Sequence, residues 1–460
     1  MEYFSHYNYF AYICKIKQEP IYIMKRLIYN NLLEWKSKPD HKPLILLGAR
    51  QVGKTYILKE LGSREFESMV YINCHKDSYT VNLFRDVDAT RILQEIQHYY
   101  NVEIIPGKTL LFFDEIQEVP NGLASLKYFC EDYRELHVAV AGSLLGISLR
   151  ENESYPVGKV ETLRLYPMTF SEFLMAMGRE GLLHTLQALD YSTLKAQQEL
   201  YTSLLREYYL VGGMPEVVKE YVGTKDVNRV RTLQSEILDA YRRDIAKHTK
   251  PQAQRINMVW ESIPAQLAKE NKKFIFGAVR KGGRAADFEL AIQWLIDAGI
   301  VYMVRRTKEP VRPLKFYADS SAFKLYMLDC GLLARMCNAP ANEMLVGTKA
   351  FVEFKGALAE NFVLQQIKPQ LGPDEVFYFS KDNSSQEVDY LIETPKRIIP
   401  VEVKAEVNVK SKSLSGFIRI DHADKHLKGV RFSLQPYEDQ SWMENVPLYA
   451  VETFLSLTAN

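Results

Sequence analysis

Residues 48–55 read Gly-Ala-Arg-Gln-Val-Gly-Lys-Thr, which is the spacing G-x-x-x-x-G-K-T. In this pattern the glycines let backbone N–H groups approach phosphates, the lysine reaches the β- and γ-phosphates, and the hydroxyl holds Mg²⁺. The spacing therefore predicts a loop for ATP and Mg²⁺, with Lys54 also acting in catalysis and Thr55 as a metal ligand. The expected nucleotide contacts are Gly48, Arg50, Gln51, Val52, Gly53, Lys54, Thr55 and Tyr56.

Two carboxylates follow a second apolar run. Asp114 and Glu115 directly follow the apolar run at residues 109–113. Ligands of open parallel α/β sheets bind at the carboxyl ends of the strands. We expect Asp114 to contact the nucleotide through Mg²⁺ and Glu115 to polarise the attacking water. The alternative is a helix N-cap with an acidic first turn. A third run, residues 137–141, leads to Ser143, which would contact the γ-phosphate or form an ordinary turn.

A second candidate site lies in the last quarter of the chain. Two strand-like stretches carry Asp389 and, further on, Glu402 and Lys404. Residues two apart in a strand point to the same side, so Glu402 and Lys404 project together, and hairpin pairing brings Asp389 beside them. With Glu360 from an upstream helix, the carboxylates would hold Mg²⁺ while Lys404 steadies a water for attack on a phosphodiester. The alternative is an amphipathic strand pair with exposed charges.

Several elements must position these residues. The apolar runs at residues 43–47, 109–113 and 137–141, each followed by a loop, predict the buried strands of a parallel α/β sheet. Residues 183–247 have a nearly continuous helical pattern, typical of a lid after such a core. Residues 256–306 read as two helices and a strand, a winged-helix-like order that would contact DNA phosphates or a protein. The basic residues between these two helices are Lys272, Lys273, Arg280, Lys281 and Arg284.

The composition excludes several classes of protein. The 460 residues include 58 Lys and Arg against 57 Asp and Glu, so no whole-molecule field attracts nucleic acid, and any such site must be local. The five cysteines are scattered without a C-x-x-C pair, which indicates reduced structural thiols and no zinc framework. No apolar run reaches the ~18 residues that a membrane span needs, and the amino terminus lacks a secretion signal. We therefore expect a cytoplasmic protein without a membrane partner.

Five stretches resemble the AAA-like ATPases of bacteria and archaea that carry a C-terminal domain of unknown function, DUF4143. They are GARQVGKT, LLFFDEIQ, AVAGSLLG, VGKVETLRLYPMTFSEFL and YLVGGMPE. With C-terminal matches the resemblance covers nearly all of residues 24–410. It implies Mg²⁺-dependent ATP hydrolysis and, because AAA-type sites usually lie between subunits, a homo-oligomer. Where the family has an arginine this chain has Lys159, which would supply charge to a neighbouring nucleotide without the planar guanidinium fork.

The spacing of Asp389, Glu402 and Lys404, with Glu360 upstream, resembles the PD-(D/E)-x-K restriction-endonuclease fold. Val388 stands where that motif usually has a proline. The resemblance implies a nuclease-like module directed at DNA, which either cleaves its target or only binds a partner.

We therefore expect an α/β protein in which a P-loop NTPase sheet of the AAA type precedes a helical lid, a winged-helix-like segment and a restriction-endonuclease-like α/β domain. The expected boundaries are 1–23 for a leader of uncertain status, with Met24 as a possible start, 24–180 for the ATPase core, 181–250 for the lid, 251–330 for the winged-helix-like segment and 331–460 for the DUF4143-type domain.

Three functions fit these residues. The first is an ATPase whose cycle drives a DNA-directed nuclease-like module. The second is a nucleotide-gated regulatory protein whose nuclease-like domain binds a partner without cleaving. The third is a metabolic kinase with the same loop, which the acidic pair after the second strand and the long C-terminal half disfavour, although fold alone does not fix function.

Overall fold

The computed structural model describes residues 24–143, 146, 156–247, 250–269, 272–346, 352–371, 376–382, 385–405 and 410–459. The chain folds as two compact units, which divide between Leu165 and Tyr166. The predicted leader, residues 1–23, lies outside the described residues.

The first unit is built on a parallel sheet of five strands. They are β1 (Leu44–Leu47), β2 (Ser68–Asn73), β3 (Thr109–Asp114), β4 (His137–Ala141) and β5 (Glu161–Arg164). Their order is β2-β3-β4-β1-β5, and every pairing is parallel. All residues of β1, β3 and β4 are buried, which explains why these strands are continuous apolar runs without alternation. The prediction of a parallel α/β sheet is confirmed.

Five α-helices whose bounds the structure describes accompany this sheet. They are α1 (Tyr29–Ser37), α2 (Lys54–Glu65), α3 (Tyr79–Leu83), α4 (Ala89–Tyr100) and α5 (Gly122–Asp132). The loop predicted to bind phosphate joins β1 to α2. Gly48 has a φ of +148°, and a Cβ atom there would lie 2.3 Å from the carbonyl oxygen of Leu165. Only glycine therefore lets the chain leave β1 so close to the end of β5.

The second unit begins with helices. They are α6 (Phe170–Ala176), α7 (Glu180–Gln187), α8 (Tyr191–Ala196), α9 (Gln198–Val211), α10 (Pro215–Thr224), α11 (Val227–Ala246), α12 (Lys250–Leu267), α13 (Phe276–Val279) and α14 (Ala285–Asp297). The helical pattern predicted for residues 183–247 is thus confirmed. Further along the chain lie α15 (Cys330–Met336), α16 (Ala341–Val346), α17 (Val352–Ile367), α18 (Lys412–Gly416) and α19 (Val451–Ala459).

An eight-stranded mixed sheet forms the rest of the second unit. Its strands are β6 (Val301–Thr307), β7 (Ala318–Met327), β8 (Val376–Ser380), β9 (Glu387–Glu393), β10 (Ile398–Lys404), β11 (Gly429–Ser433), β12 (Glu438–Gln440) and β13 (Met443–Pro447). Their order is β12-β13-β11-β10-β9-β8-β6-β7. The predicted hairpin of β9 and β10 is confirmed, with Val401 opposite Tyr390.

The segment expected to be winged-helix-like is joined to this sheet. Strand β6 pairs with β7 as a wing would, and it also pairs in parallel with β8. The expected boundary at residue 330 therefore falls between strands of one sheet. The pairing of β6 with β8 has a physical reason. Without it, β8, whose first four residues are buried, would present an edge of unpaired backbone groups beside apolar side chains.

Two of the stretches that carry the family resemblance serve packing. The Thr169 hydroxyl accepts a hydrogen bond from the Glu172 N–H, and the Glu172 carboxylate accepts one from the Thr169 N–H, a capping box at the start of α6. The Ser171 N–H donates to Glu452 across 3.3 Å. Burial raises the pKa of Glu452 to about 7, and the charge of Glu172 adds to this effect.

A buried aspartate fixes the turn that follows α9. The Gly213 N–H donates to Asp329 across 2.6 Å, and Asp329 also caps α15 through the Leu332 N–H. A Cβ atom at Gly213 would lie 2.1 Å from the carbonyl oxygen of Met168, so the close approach of the two backbones requires glycine. Among the described residues, no helix is long and apolar enough to cross a bilayer.

Candidate functional site

Lys54 begins α2 and folds back over the preceding loop. Its Nζ donates hydrogen bonds to the carbonyl oxygens of Gly48 and Ala49, each at 2.8 Å, and its side chain is buried. Burial lowers the pKa of Lys54 to about 8, although the charges of Glu115 and Asp114 act in the opposite direction. The lysine therefore carries a poorly solvated charge that two neutral carbonyl groups compensate only in part.

The other predicted loop residues occupy the same turn. Gln51 has a φ of +67° and Gly53 a φ of +97°, so successive backbone groups curl around the loop, as in anion-binding nests. Val52 is buried and Tyr56 is exposed. The proximity of Arg50 contributes to the lowered pKa of Lys54, which indicates that a second positive charge lies near the loop.

Thr55 and Asp114 meet at the end of β3. The Thr55 hydroxyl donates to Asp114 Oδ2 across 2.9 Å, and the Tyr71 hydroxyl donates to the same oxygen across 3.1 Å. Burial raises the pKa of Asp114, and the Thr55 hydrogen bond opposes that shift. A hydroxyl and a carboxylate oxygen are ligands that suit Mg²⁺, which binds few protein groups and completes its shell with waters and phosphates. The two residues thus fit the predicted metal position.

Glu115 is held in place by two further side chains. Gln117 Nε2 donates to Glu115 Oε2 across 2.6 Å, and the Ser143 N–H and hydroxyl donate to the same oxygen across 2.9 and 3.2 Å. Glu115 has a φ of +55°, a left-handed conformation that is uncommon outside glycine and concentrates at functional sites. The structure therefore brings the predicted residues Glu115 and Ser143 together.

Sequence reasoning missed three supporting residues. Arg26, ahead of α1, donates from Nη1 to the carbonyl oxygen of Val52 across 2.9 Å, and Tyr71 orients Asp114. Gln117 reaches Glu115 because Gly142 leaves room: a Cβ atom there would lie 1.9 Å from Gln117 Oε1. The glycine before Ser143 was the one local signal for this packing.

The structure does not bring all four predicted C-terminal residues together at one site. Lys404 Nζ lies 3.2 Å from Glu402 Oε1, so these two side chains project together as expected. Asp389 is hydrogen-bonded to the hairpin backbone, since its Oδ2 accepts from the Val403 N–H across 2.7 Å. Glu360 instead accepts from Lys272 Nζ across 2.7 Å and from the Tyr326 hydroxyl across 3.0 Å.

The expected Mg²⁺ site of Glu360, Asp389 and Glu402 is therefore not assembled. Among the described residues, no three carboxylate, histidine or cysteine side chains gather in a way that could hold a metal ion. The physical reason is that lysines already pair with two of the carboxylates, Glu360 with Lys272 and Glu402 with Lys404. These residues do not fit the metal that the nuclease resemblance implies.

Two predicted basic contacts are also engaged within the chain. Lys159, at the position of the family's arginine, forms an ion pair of 2.8 Å with Glu131 of the same unit. Lys272, expected in a basic segment facing DNA, is directed at Glu360 with its side chain only 13% exposed. Lys272 therefore cannot serve as a surface phosphate contact.

Three family models match the chain. Residues 40–174 match the family model of an AAA domain, residues 202–343 that of a domain of unknown function, DUF8612, and residues 355–451 that of a domain of unknown function, DUF4143. No curated protein matches the chain.

The solved structures that the chain matches include a Walker-type ATPase of Pyrococcus abyssi, at 15% identity, with 68% of this chain and 96% of that chain covered and a TM-score of 0.41. The ORC1 protein of Aeropyrum pernix in complex with DNA matches at 13% identity, with 69% and 93% covered and a TM-score of 0.28. By the three family-model matches, the chain consists of an AAA-type P-loop ATPase domain followed by the DUF8612 and DUF4143 segments.

Proposed function

We propose that the first unit binds ATP with Mg²⁺ and hydrolyses it. The observation that carries this proposal is the 2.9 Å hydrogen bond between Thr55 and Asp114, one residue beyond the buried Lys54. This bond joins the amino end of α2 to the carboxyl end of β3, where phosphates and their metal bind in sheets of this type.

Each side chain then has a role. Lys54 exchanges its two loop carbonyl partners for the β- and γ-phosphates, which compensate its charge more fully. Thr55 and Asp114 would hold Mg²⁺, which supplies positive charge against the charge that develops on the phosphoryl oxygens. Glu115 would polarise the attacking water, and Ser143, hydrogen-bonded to Glu115, would contact the γ-phosphate.

The test is phosphate release from ATP by the purified full chain beside the variant Lys54→Ala. We expect turnover in the wild type and its loss in the variant. Absence of turnover in the wild type, with and without DNA, would overturn the assignment as an ATPase.

For the second unit, we propose that the nuclease-like domain binds its partner without cutting it. The observation that favours this reading over cleavage is that Lys272 pairs with Glu360, and Lys404 with one oxygen of Glu402, whereas cleavage would need these carboxylates to bind a metal ion. The nucleotide state of the first unit would then control binding and not phosphodiester hydrolysis.

A cleft of 390 Å³ offers a place for a DNA phosphate. It is lined by Met303, Arg305, Lys315, Ala318, Ser320, Val376 and Phe377. Two of these described residues are cationic and none is acidic, so the cleft favours an anion. Phe316, 79% exposed beside Lys315, presents an aromatic ring on which an unpaired base would stack.

Gel-shift titration of DNA tests this site while the same samples report cleavage. The double variant Arg305→Ala/Lys315→Ala should bind more weakly and reduce the salt dependence of binding by roughly one unit of slope per lost contact. Lys108→Ala, which removes one exposed charge from the first unit, is the control for a change of charge elsewhere on the surface. Cutting with Mg²⁺ or Mn²⁺ that is lost in Lys404→Ala would contradict the non-cleaving function.

A further inference from the structure

A buried group of charges lies where β7, β9 and α17 approach one another. It contains the carboxylates of Glu360, Glu387 and Asp389, which we call the acidic cluster, and the ammonium groups of Lys272 and Lys324. Lys272 pairs with Glu360 across 2.7 Å, and Lys324, which is wholly buried, pairs with Glu387. Hydroxyl groups complete the shell of Glu360: Tyr326 donates to its carboxylate and Tyr390 to its carbonyl oxygen.

The two signs of charge come from different parts of the sequence. Lys272 and Lys324 belong to residues 202–343, matched by the DUF8612 model, and the three carboxylates belong to residues 355–451, matched by the DUF4143 model. One segment therefore supplies cations to an acidic cluster that the other segment builds.

The charges nearly balance. Three ionised carboxylates that are wholly or partly buried would repel one another and lose solvation, at a free-energy cost that grows with burial. Two ammonium groups bring the same positive charge as one divalent cation. Although burial opposes ionisation, the pKa of Lys324 is raised by Glu387, Glu360 and Asp389, and Lys272 and Lys324 hold the pKa of Glu360 below its usual value.

We propose that Lys272 and Lys324 occupy the place of a divalent cation in the acidic cluster, so that the DUF4143 segment is held by lysines of the DUF8612 segment and binds no metal there. The proposal explains why the expected ligands fail to form a metal site although two of them, Glu360 and Asp389, interact electrostatically. It concerns the second unit alone and does not depend on ATP hydrolysis by the first.

Electron paramagnetic resonance of Mn²⁺ titrated into the nucleotide-free full chain is the first test. We expect the same Mn²⁺ binding in the wild type and in Asp389→Asn. A Mn²⁺ site of the wild type that disappears in Asp389→Asn would overturn the proposal. ATP turnover, measured separately, reports on the first unit, so its failure is distinguishable from failure here.

Removal of one lysine provides the second test. In Lys272→Met the acidic cluster lacks one cation, so we expect a lower Tm and its partial recovery, by about 3 °C, when Mn²⁺ occupies the freed position. The charge-matched variant Lys272→Met/Glu360→Gln and the surface control Lys308→Met should show no response to Mn²⁺, like the wild type. Folded Lys272→Met with a Tm unaffected by Mn²⁺ would contradict the proposal.

Discussion

The Thr55 hydroxyl donates to Asp114 Oδ2 across 2.9 Å and so links the first turn of α2 to the last residue of β3. Tyr71 donates to the same oxygen from the neighbouring strand β2. The carboxylate is thus oriented before any ligand arrives, and such preorganisation avoids a reorganisation cost when charge must be stabilised.

This link predicts the effect of changing Thr55. In Thr55→Ala, Mg²⁺ loses its hydroxyl ligand, and we expect ATP turnover to fall by roughly a hundredfold, with a higher requirement for free Mg²⁺. Thr55→Ser keeps the hydroxyl and should retain most of the activity. Phosphate release measured against free Mg²⁺ at fixed ATP separates the two variants, and equal activity of the two would argue against metal binding by Thr55.

Glu115 should affect hydrolysis but not nucleotide binding. The amide of Glu115→Gln still accepts the hydrogen bonds from Gln117 and Ser143 but no longer polarises water. We expect turnover to fall by roughly 100-fold or more while the Kd for a fluorescent ATP analogue changes by less than about threefold. Weakened binding with turnover retained would assign Glu115 to nucleotide contact and contradict its catalytic role.

ATP binding should weaken as the pH rises, because the pKa of Lys54 is lowered to about 8. The lysine is protonated below this value and loses its charge above it, whereas bound phosphates favour the charged form. One-proton linkage then predicts roughly an eightfold increase in Kd between about pH 7.5 and pH 9. Lys54→Arg, whose charge persists throughout this range, is the control and should give a flat profile. Parallel slopes for both proteins would exclude Lys54 as the titrating group.

Glu452 should make the stability of the second unit depend on pH. Its folded-state pKa of about 7 lies above the ordinary 4.5, so its stabilising contribution is complete below pH 4.5 and is lost as the pH rises through 7. Glu452→Gln removes this loss, and we expect the variant to exceed the wild type by up to about 3 kcal/mol at pH 8 and to match it near pH 4.5. Urea unfolding at both pH values measures the difference. Glu438→Gln, on an exposed strand, should leave the wild-type pH dependence intact.

The sequence predicted the contacts that depend on short spacing. Lys54 and Thr55 belong to one loop, Asp114 and Glu115 end one strand, and their meeting follows from the rule that parallel strands present their carboxyl ends at one edge. Glu402 and Lys404 likewise share a side because two residues separate them along a strand.

Other contacts join residues that are far apart along the chain. The partner of Glu360 is Lys272, and 88 positions separate them; Arg26 reaches the carbonyl oxygen of Val52 from ahead of the first strand. Neither pair has a local pattern, and each arises only when the elements pack. The same holds for β6, the strand expected to end the winged-helix-like segment. It pairs with β8, which lies beyond the expected boundary at residue 330.

The pairing of β6 with β8 determines which fragments of the chain can be expressed on their own. A fragment that begins after residue 343, where the DUF8612 match ends, keeps β8 but loses the neighbour that covers it. The unpaired backbone N–H and C=O groups of β8, flanked by apolar side chains, would then be open to other molecules, and bare edges of this kind recruit strands from further copies. Expression of this last quarter alone should give aggregates, whereas a fragment that begins at Tyr166 retains all eight strands described for the second sheet and is the better choice for crystallisation.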